Sequence, residues 1–147
     1  MQWHLLAIGK PKLPFARDAI EEYTKRLRPL ASITIDYLKP ARGESESATL
    51  LRRSEGMYRI ILDERGDQLT SRDLSTLVTQ LEQSRHKSIA LMIGGADGHS
   101  PELRAKADHL WSLSRLTFQH ELAQVLVLEQ LYRAYTIKAG LPYHREG

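Results

Sequence analysis

Apolar and polar positions follow two different patterns along the chain. Short continuous apolar runs, typical of buried strands, are separated by stretches in which apolar residues recur at helical spacing. The runs predict strands at residues 3–8, 32–38, 58–63, 88–95 and 109–113. The intervening stretches predict helices at residues 15–27, 47–53, 71–83, 101–107 and 121–139. This alternation predicts a single α/β domain over residues 1–147, with a mainly parallel sheet and helices on both faces.

Several helix ends are marked by residues with known positional preferences. Ser71 or Thr70 stands where the third helix needs an N-cap, and Pro101 stands at the first position of the fourth helix. Gly140 is placed to end the last helix, with Pro142 behind it.

The last helix is apolar on more than one face, with Leu122, Val125, Leu126, Leu128, Leu131, Tyr132 and Tyr135. Such a helix packs inside a large core or against another subunit. Because a domain of this size has limited core to offer, we expect this helix to contact a second subunit.

Composition narrows the class of protein. Hydrophobic residues make up 41% and charged residues 27% of the chain, and no apolar run approaches the roughly 20 residues that cross a bilayer. The first residues lack the basic region and cleavage site of a secretory signal. Cysteine is absent, which excludes disulfides and thiolate nucleophiles. We expect a cytoplasmic protein with no membrane partner.

The net charge of +3 arises from the first 40 residues, which hold seven Lys and Arg against four acids. A basic patch there favours an anionic partner such as RNA, with Lys10, Lys12 and Arg17 as candidate contacts. A solvated helix face with ion pairs four residues apart explains the same charges equally well.

In parallel sheets the ligand site lies beyond the carboxyl ends of the strands. The loop after Ile93 reads GGADGHS, and its glycines Gly94, Gly95 and Gly98 let the backbone turn tightly and approach a ligand. The spacing is not that of a Walker or dinucleotide-binding motif, so a simple tight turn is an equally supported interpretation.

The loop after the fifth strand, SLSRLTFQH, combines hydroxyl groups, backbone amides and apolar side chains. That mixture suits an adenine ring. No two of the six histidines have the spacing of a helical metal-binding motif, and no G-x-S-x-G elbow is present. We therefore expect no metal site.

Six segments taken together closely resemble the RlmH-type SPOUT methyltransferases, and the resemblance spans the chain. The segments are LLAIGK near the start, ILDERG (61–66), IGGADG (93–98), SLSRLTF (112–118), EQLYRA (129–134) and PYHRE (142–146). Each is unspecific alone, whereas all six in order within one small domain are not expected by chance.

The resemblance implies an α/β fold with a C-terminal trefoil knot, a rare exception to unknotted topology. It implies a homodimer that binds S-adenosylmethionine in the knot and methylates N3 of a pseudouridine in the helix 69 loop of 23S rRNA, within the 70S ribosome. The implied cofactor contacts are Leu62, Gly94, Gly95, Gly98, Leu113, Ser114, Arg115, Leu116, Thr117 and Phe118.

The C-terminal segment carries the candidate catalytic residues Tyr143, His144 and Arg145. The pseudouridine N3 must lose a proton, for which His144 as base and Arg145 as electrostatic partner are chemically suitable. Tyr143 either stacks on a base or packs the subunit interface. We expect this segment to complete the site of the partner subunit; without the resemblance, it is typical of a solvated tail.

Two positions depart from the family pattern. Before the last helix the family has Pro-His followed four residues on by an arginine, whereas this chain has Gln119, His120 and Gln124. Arg115 or Arg133 would then have to replace that arginine.

Two alternative functions therefore stay open. One is a knotted dimer that binds S-adenosylmethionine or RNA without chemistry, and the other is a tRNA methyltransferase of the same fold.

Overall fold

The computed structural model of the protein describes residues 1–145. Its strands are β1 (Gln2–Ile8), β2 (Ser32–Leu38), β3 (Tyr58–Gln68), β4 (Ser88–Ile93) and β5 (His109–Ser112). Its helices are α1 (Pro14–Leu27), α2 (Glu46–Arg53), α3 (Ser71–Gln83), α4 (Pro101–Ala105) and α5 (His120–Ala139). The strands form one sheet in the order β2-β1-β4-β3-β5, and every recorded pairing is parallel.

The sheet separates two apolar clusters, as the continuous apolar strands predict. The larger cluster packs one face of the sheet against α1, α3 and α5, with Trp3, Leu91 and Val127 among its buried members. The smaller cluster packs the other face against α2 and α4, through Leu50 and Leu103. The prediction of an α/β sheet with helices on both faces is confirmed; the trefoil knot stays a prediction.

The helix ends follow from local chemistry. Thr70, not Ser71, is the N-cap of α3. The Thr70 hydroxyl oxygen accepts a hydrogen bond from the backbone N–H of Asp73, and the Asp73 carboxylate accepts one from the backbone N–H of Thr70. Pro101 begins α4 as predicted. Gly140 ends α5 in the left-handed conformation, at φ 70°.

The predicted end of β3 at residue 63 was wrong. The strand continues to Gln68, interrupted by a bulge in which Leu62 and Asp67 both pair with Trp111 of β5. Gly66 allows this bulge, because a β-carbon there would lie 2.4 Å from the backbone carbonyl of Leu110. The bulge residues are polar, so they lack the apolar signal of a strand. In contrast, β4 and α4 end earlier than predicted, at Ile93 and Ala105.

Helix α5 lies between α1 and α3, and its inner face is buried. Leu122 and Leu126 on its first two turns are only partly buried and belong to neither apolar cluster. Among residues 1–145, no helix combines the length and apolar character required to cross a membrane.

Candidate active site

A cavity of about 580 Å³ opens at the carboxyl edge of the sheet. Its walls come from the β3 bulge, from the loop after β4 and from the loop between β5 and α5. The last two are the strand-end loops that the sequence indicates, and the first contains Leu62, which the resemblance assigns to the cofactor site. The cavity is large enough for a nucleoside-sized ligand.

Most of the predicted cofactor-binding residues meet at this cavity. They are Leu62, Gly94, Gly95, Gly98, Leu113, Ser114, Leu116, Thr117 and Phe118. Arg115 is exposed and is not among the described residues that line it. The structure therefore brings together distant parts of the chain that the resemblance assigns to one site.

The loop between β5 and α5 is held by its own polar groups. The Ser112 hydroxyl donates to the Ser114 carbonyl over 2.8 Å, and the Thr117 hydroxyl donates to the Glu64 carboxylate over 2.6 Å. The second bond ties this loop to the β3 bulge across the cavity mouth. Leu116 stays 70% exposed at this loop.

The cavity wall also contains Asp63, His99 and Arg104, which are not among the cofactor contacts predicted above. The Asp63 side chain is only 6% exposed; its carboxylate lies 3.3 Å from Arg65 Nη1 and 3.9 Å from Arg104 Nη1. Arg104 also donates to the His99 carbonyl over 2.5 Å. In the sequence, the only indication of this cluster is the charged DERG segment at residues 63–66.

His99 is a buried histidine with 8% exposure. Among the described residues, neither of its ring nitrogens has a hydrogen-bond partner within the usual distance and angle. Burial lowers the pKa of His99, and Asp63 only partly opposes that effect. Burial therefore favours the neutral imidazole in the folded protein at neutral pH.

The basic loop between β1 and α1 is anchored beside the cavity. A carboxylate oxygen of Glu121, in the first turn of α5, accepts the backbone N–H groups of Lys12 and Leu13, the latter over 3.0 Å. These bonds lower the pKa of Glu121, with that from Leu13 as the main cause. Because the neighbouring His120 lines the cavity, Lys12 lies at the same edge of the sheet as the cavity.

Of the two departures near the start of α5, Gln119 has a structural role. The Gln119 side chain caps the helix by accepting from the backbone N–H groups of Glu121 and Leu122. Gln124 is 1% exposed and is not among the described residues that line the cavity.

The C-terminal segment packs on the middle of α5. The Tyr143 hydroxyl donates to Glu129 over 3.0 Å, and its ring packs edge-on against Tyr132 at 4.7 Å. Arg133 lies over the Tyr143 ring, also at 4.7 Å, and its Nη1 is 3.3 Å from His144 Nδ1. Burial is the main cause that raises the pKa of Tyr143.

Within one chain, this segment does not reach the cavity. Tyr143, His144 and Arg145 are absent from the described residues that line it. Glu129, which holds Tyr143, is nine residues along α5 from His120, a rise of about 13 Å. Residues 1–145 also contain no group of three or more acidic or histidine side chains able to hold a metal ion.

An all-parallel α/β sheet with a cavity at its carboxyl edge is typical of α/β domains that bind their ligands at the strand ends. The family model described as predicted SPOUT methyltransferase matches residues 1–144. The chain belongs to this methyltransferase family.

Curated relatives cover nearly the whole chain. One from Deinococcus radiodurans, named ribosomal RNA large subunit methyltransferase H, is 41% identical over 99% of both chains. One of the same name from Thermus thermophilus is 42% identical over 99% of both chains.

Solved structures show the same fold at low identity. A probable methylase family protein from Haemophilus influenzae superposes with a TM-score of 0.57 at 12% identity, covering 98% of this chain and 70% of that one. A putative methylase family protein from Neisseria gonorrhoeae gives the same TM-score at 15% identity, covering 99% and 86%.

Proposed function

We propose that this protein transfers a methyl group from S-adenosylmethionine to N3 of a pseudouridine in the helix 69 loop of 23S rRNA. It acts as a homodimer on assembled 70S ribosomes in the cytoplasm. The observation that carries this proposal is the cavity formed by the three loops that the resemblance assigns to the cofactor. The names of the full-length relatives support a large-subunit rRNA substrate.

The cavity suits S-adenosylmethionine in shape and chemistry. Leu62, Leu113 and Phe118 supply apolar walls, and the glycines after β4 let the backbone approach the ligand. When bound, this cofactor supplies an activated methyl group on a sulfonium. A neutral His99 is compatible with such a cationic ligand, because a protonated imidazole would repel it.

The homodimer is supported by the surface of α5. Leu122 and Leu126 leave a partly exposed apolar stripe that continues into the part of the helix covered by Tyr143. The cavity of one chain lacks its proposed catalytic residues. We propose that the C-terminal segment of one subunit completes the cavity of the other.

The proposed chemistry of His144 requires a change in its contacts. A guanidinium only donates hydrogen bonds, so Nδ1 of His144 acts as the acceptor toward Arg133. For Nε2 to accept the N3 proton of pseudouridine, the neutral ring must carry its own proton on Nδ1, which breaks this contact. Arg145 then stabilises the anion left on the base, while Tyr143 packs the interface.

A tritium-transfer assay tests the function. Labelled S-adenosylmethionine is incubated with 70S ribosomes that lack this modification, and with naked rRNA and tRNA in parallel. We expect label in the helix 69 pseudouridine of ribosomes alone. Label on tRNA would identify the alternative substrate, and cofactor binding by calorimetry without any transfer would indicate a binding protein.

A further inference from the structure

A second, smaller groove of about 270 Å³ lies between α1 and the edge strand β2. Its apolar part is formed by Ile20 and Ile35, and the Tyr37 ring lines the same groove. Arg17, Glu21 and Arg28, all on α1 or at its end, supply its charged groups. The groove is too small for the whole cofactor but has room for one nucleobase.

The side chains of two groove arginines are not held by polar contacts within the described residues. The guanidinium groups of Arg17 and Arg28 make no hydrogen bond or ion pair with residues 1–145. By contrast, Arg26 on the same helix pairs with Glu22 at 2.9 Å and lies over Tyr23. Two unpaired guanidinium groups beside one groove favour a ligand that carries phosphate.

The loop between β1 and α1 links the groove to the edge of the candidate active site. Pro11 lines the groove, and Glu121 holds the backbone of the next residue, Lys12. His120, adjacent to Glu121, lines the large cavity. An RNA strand bound at the cavity can therefore follow this loop to the groove.

We propose that this groove binds one nucleotide of the RNA substrate, a neighbour of the base that is methylated. This proposal rests on the proposed function and adds a second RNA contact to it. The base stacks on Tyr37 between Ile20 and Ile35, which is a common way to hold an unpaired base. Arg17 and Arg28, about 16 Å apart along α1, bind phosphates of the RNA backbone that extends from that base in the two directions.

The Glu21 side chain is also compatible with a nucleotide in the groove. Its carboxylate accepts hydrogen bonds from the amino or imide N–H groups of a base. It also repels phosphate from the middle of the groove, so the backbone is directed to the arginines at the ends.

The test compares Arg17→Ala/Arg28→Ala with a matched double variant, Arg85→Ala/Lys87→Ala. The control removes the same charge from the turn before β4, whose residues are not among those that line the groove. We expect the groove variant to raise KM for ribosomes about tenfold, with kcat and cofactor affinity unchanged. Tyr37→Ala should raise KM similarly, whereas Tyr37→Phe retains the stacking ring and the KM.

An unchanged KM in the groove variant, or an equal rise in the control, would overturn the proposal. Ultraviolet cross-linking of the wild-type protein to ribosomes gives a direct readout, in which an RNA adduct on Tyr37 is expected. If the protein methylates no ribosomal RNA, the proposed function fails separately. In that case, titration with a short single-stranded oligoribonucleotide tests the groove by itself. Weaker binding by the groove variant alone would support RNA binding in the groove, and equal binding by both variants would refute it.

Discussion

Gly94 and His99 pack against each other in the cavity wall. A β-carbon at Gly94 would lie 3.0 Å from Cε1 of the His99 ring and 3.3 Å from the backbone carbon of Gly98. The glycine therefore makes room for the buried imidazole as well as for a ligand. This contact links the glycine loop to a residue that the sequence pattern did not single out.

Gly94→Ala should weaken S-adenosylmethionine binding about tenfold, because the added methyl forces the His99 ring to shift. Isothermal titration calorimetry measures the effect. The double variant Gly94→Ala/His99→Ala removes the ring that the methyl meets and should recover most of the affinity. Failure of this rescue would show that the methyl obstructs the ligand itself.

His99 should make the stability depend on pH. Burial lowers its pKa in the folded state, so the unfolded chain takes up the proton first as pH falls through the ordinary value of about 6.5. Stability is therefore lost as pH falls from that value toward the folded pKa. Urea unfolding at pH 7.5 and 5.5 should show a larger loss for the wild type than for His99→Leu; equal losses would contradict this assignment.

The order and type of the helices and strands could be predicted from the sequence because each has a strong local signal. Apolar runs mark the strands, and Pro101 and Gly140 mark helix ends. The extension of β3 has no such signal, since residues 63–66 are polar and their position depends on β5, far along the chain. Tertiary pairing, not local preference, determines that boundary.

The cavity was only partly predictable for a related reason. Strand-end loops are natural ligand sites in parallel sheets, which leads to Gly94 and Leu113 without any structure. Asp63, His99 and Arg104 become neighbours only when β3, the loop after β4 and α4 come together. No spacing in the sequence encodes that contact.

Gly66→Ala should destabilise the protein by about 3 kcal/mol or more, since its methyl would lie 2.4 Å from backbone atoms that have no room to move. Gly43→Ala is the matched control. Gly43 has φ 79° but nothing within 4 Å of a β-carbon, so only backbone strain of about 1–2 kcal/mol is expected. Chemical denaturation compares the two; equal losses would mean that the bulge readily opens.

Glu121→Ala should loosen the basic loop, because two backbone N–H groups lose their acceptor at a cost of about 1–3 kcal/mol each. Hydrogen exchange at Lys12 and Leu13 should accelerate. Glu121→Gln keeps an acceptor oxygen and should retain most of the protection. Because the pKa of Glu121 is lowered on folding, its contribution is complete above the ordinary Glu value of about 4.3 and is lost as pH falls through the folded pKa.

The separation of the C-terminal segment from the cavity leads to a test of shared sites. His144→Ala should abolish methylation while cofactor affinity is retained, since the proposed cofactor contacts come from the three loops of the cavity and not from His144. A second inactive variant, Gly94→Arg, should block the cavity and leave His144 intact.

The two variants are then unfolded and refolded together. Each mixed dimer has one intact cavity facing one intact C-terminal segment. Methylation should therefore return to about a quarter of the wild-type rate if dimers form at random. If each segment instead serves the cavity of its own chain, every dimer in the mixture has only defective sites and no activity returns.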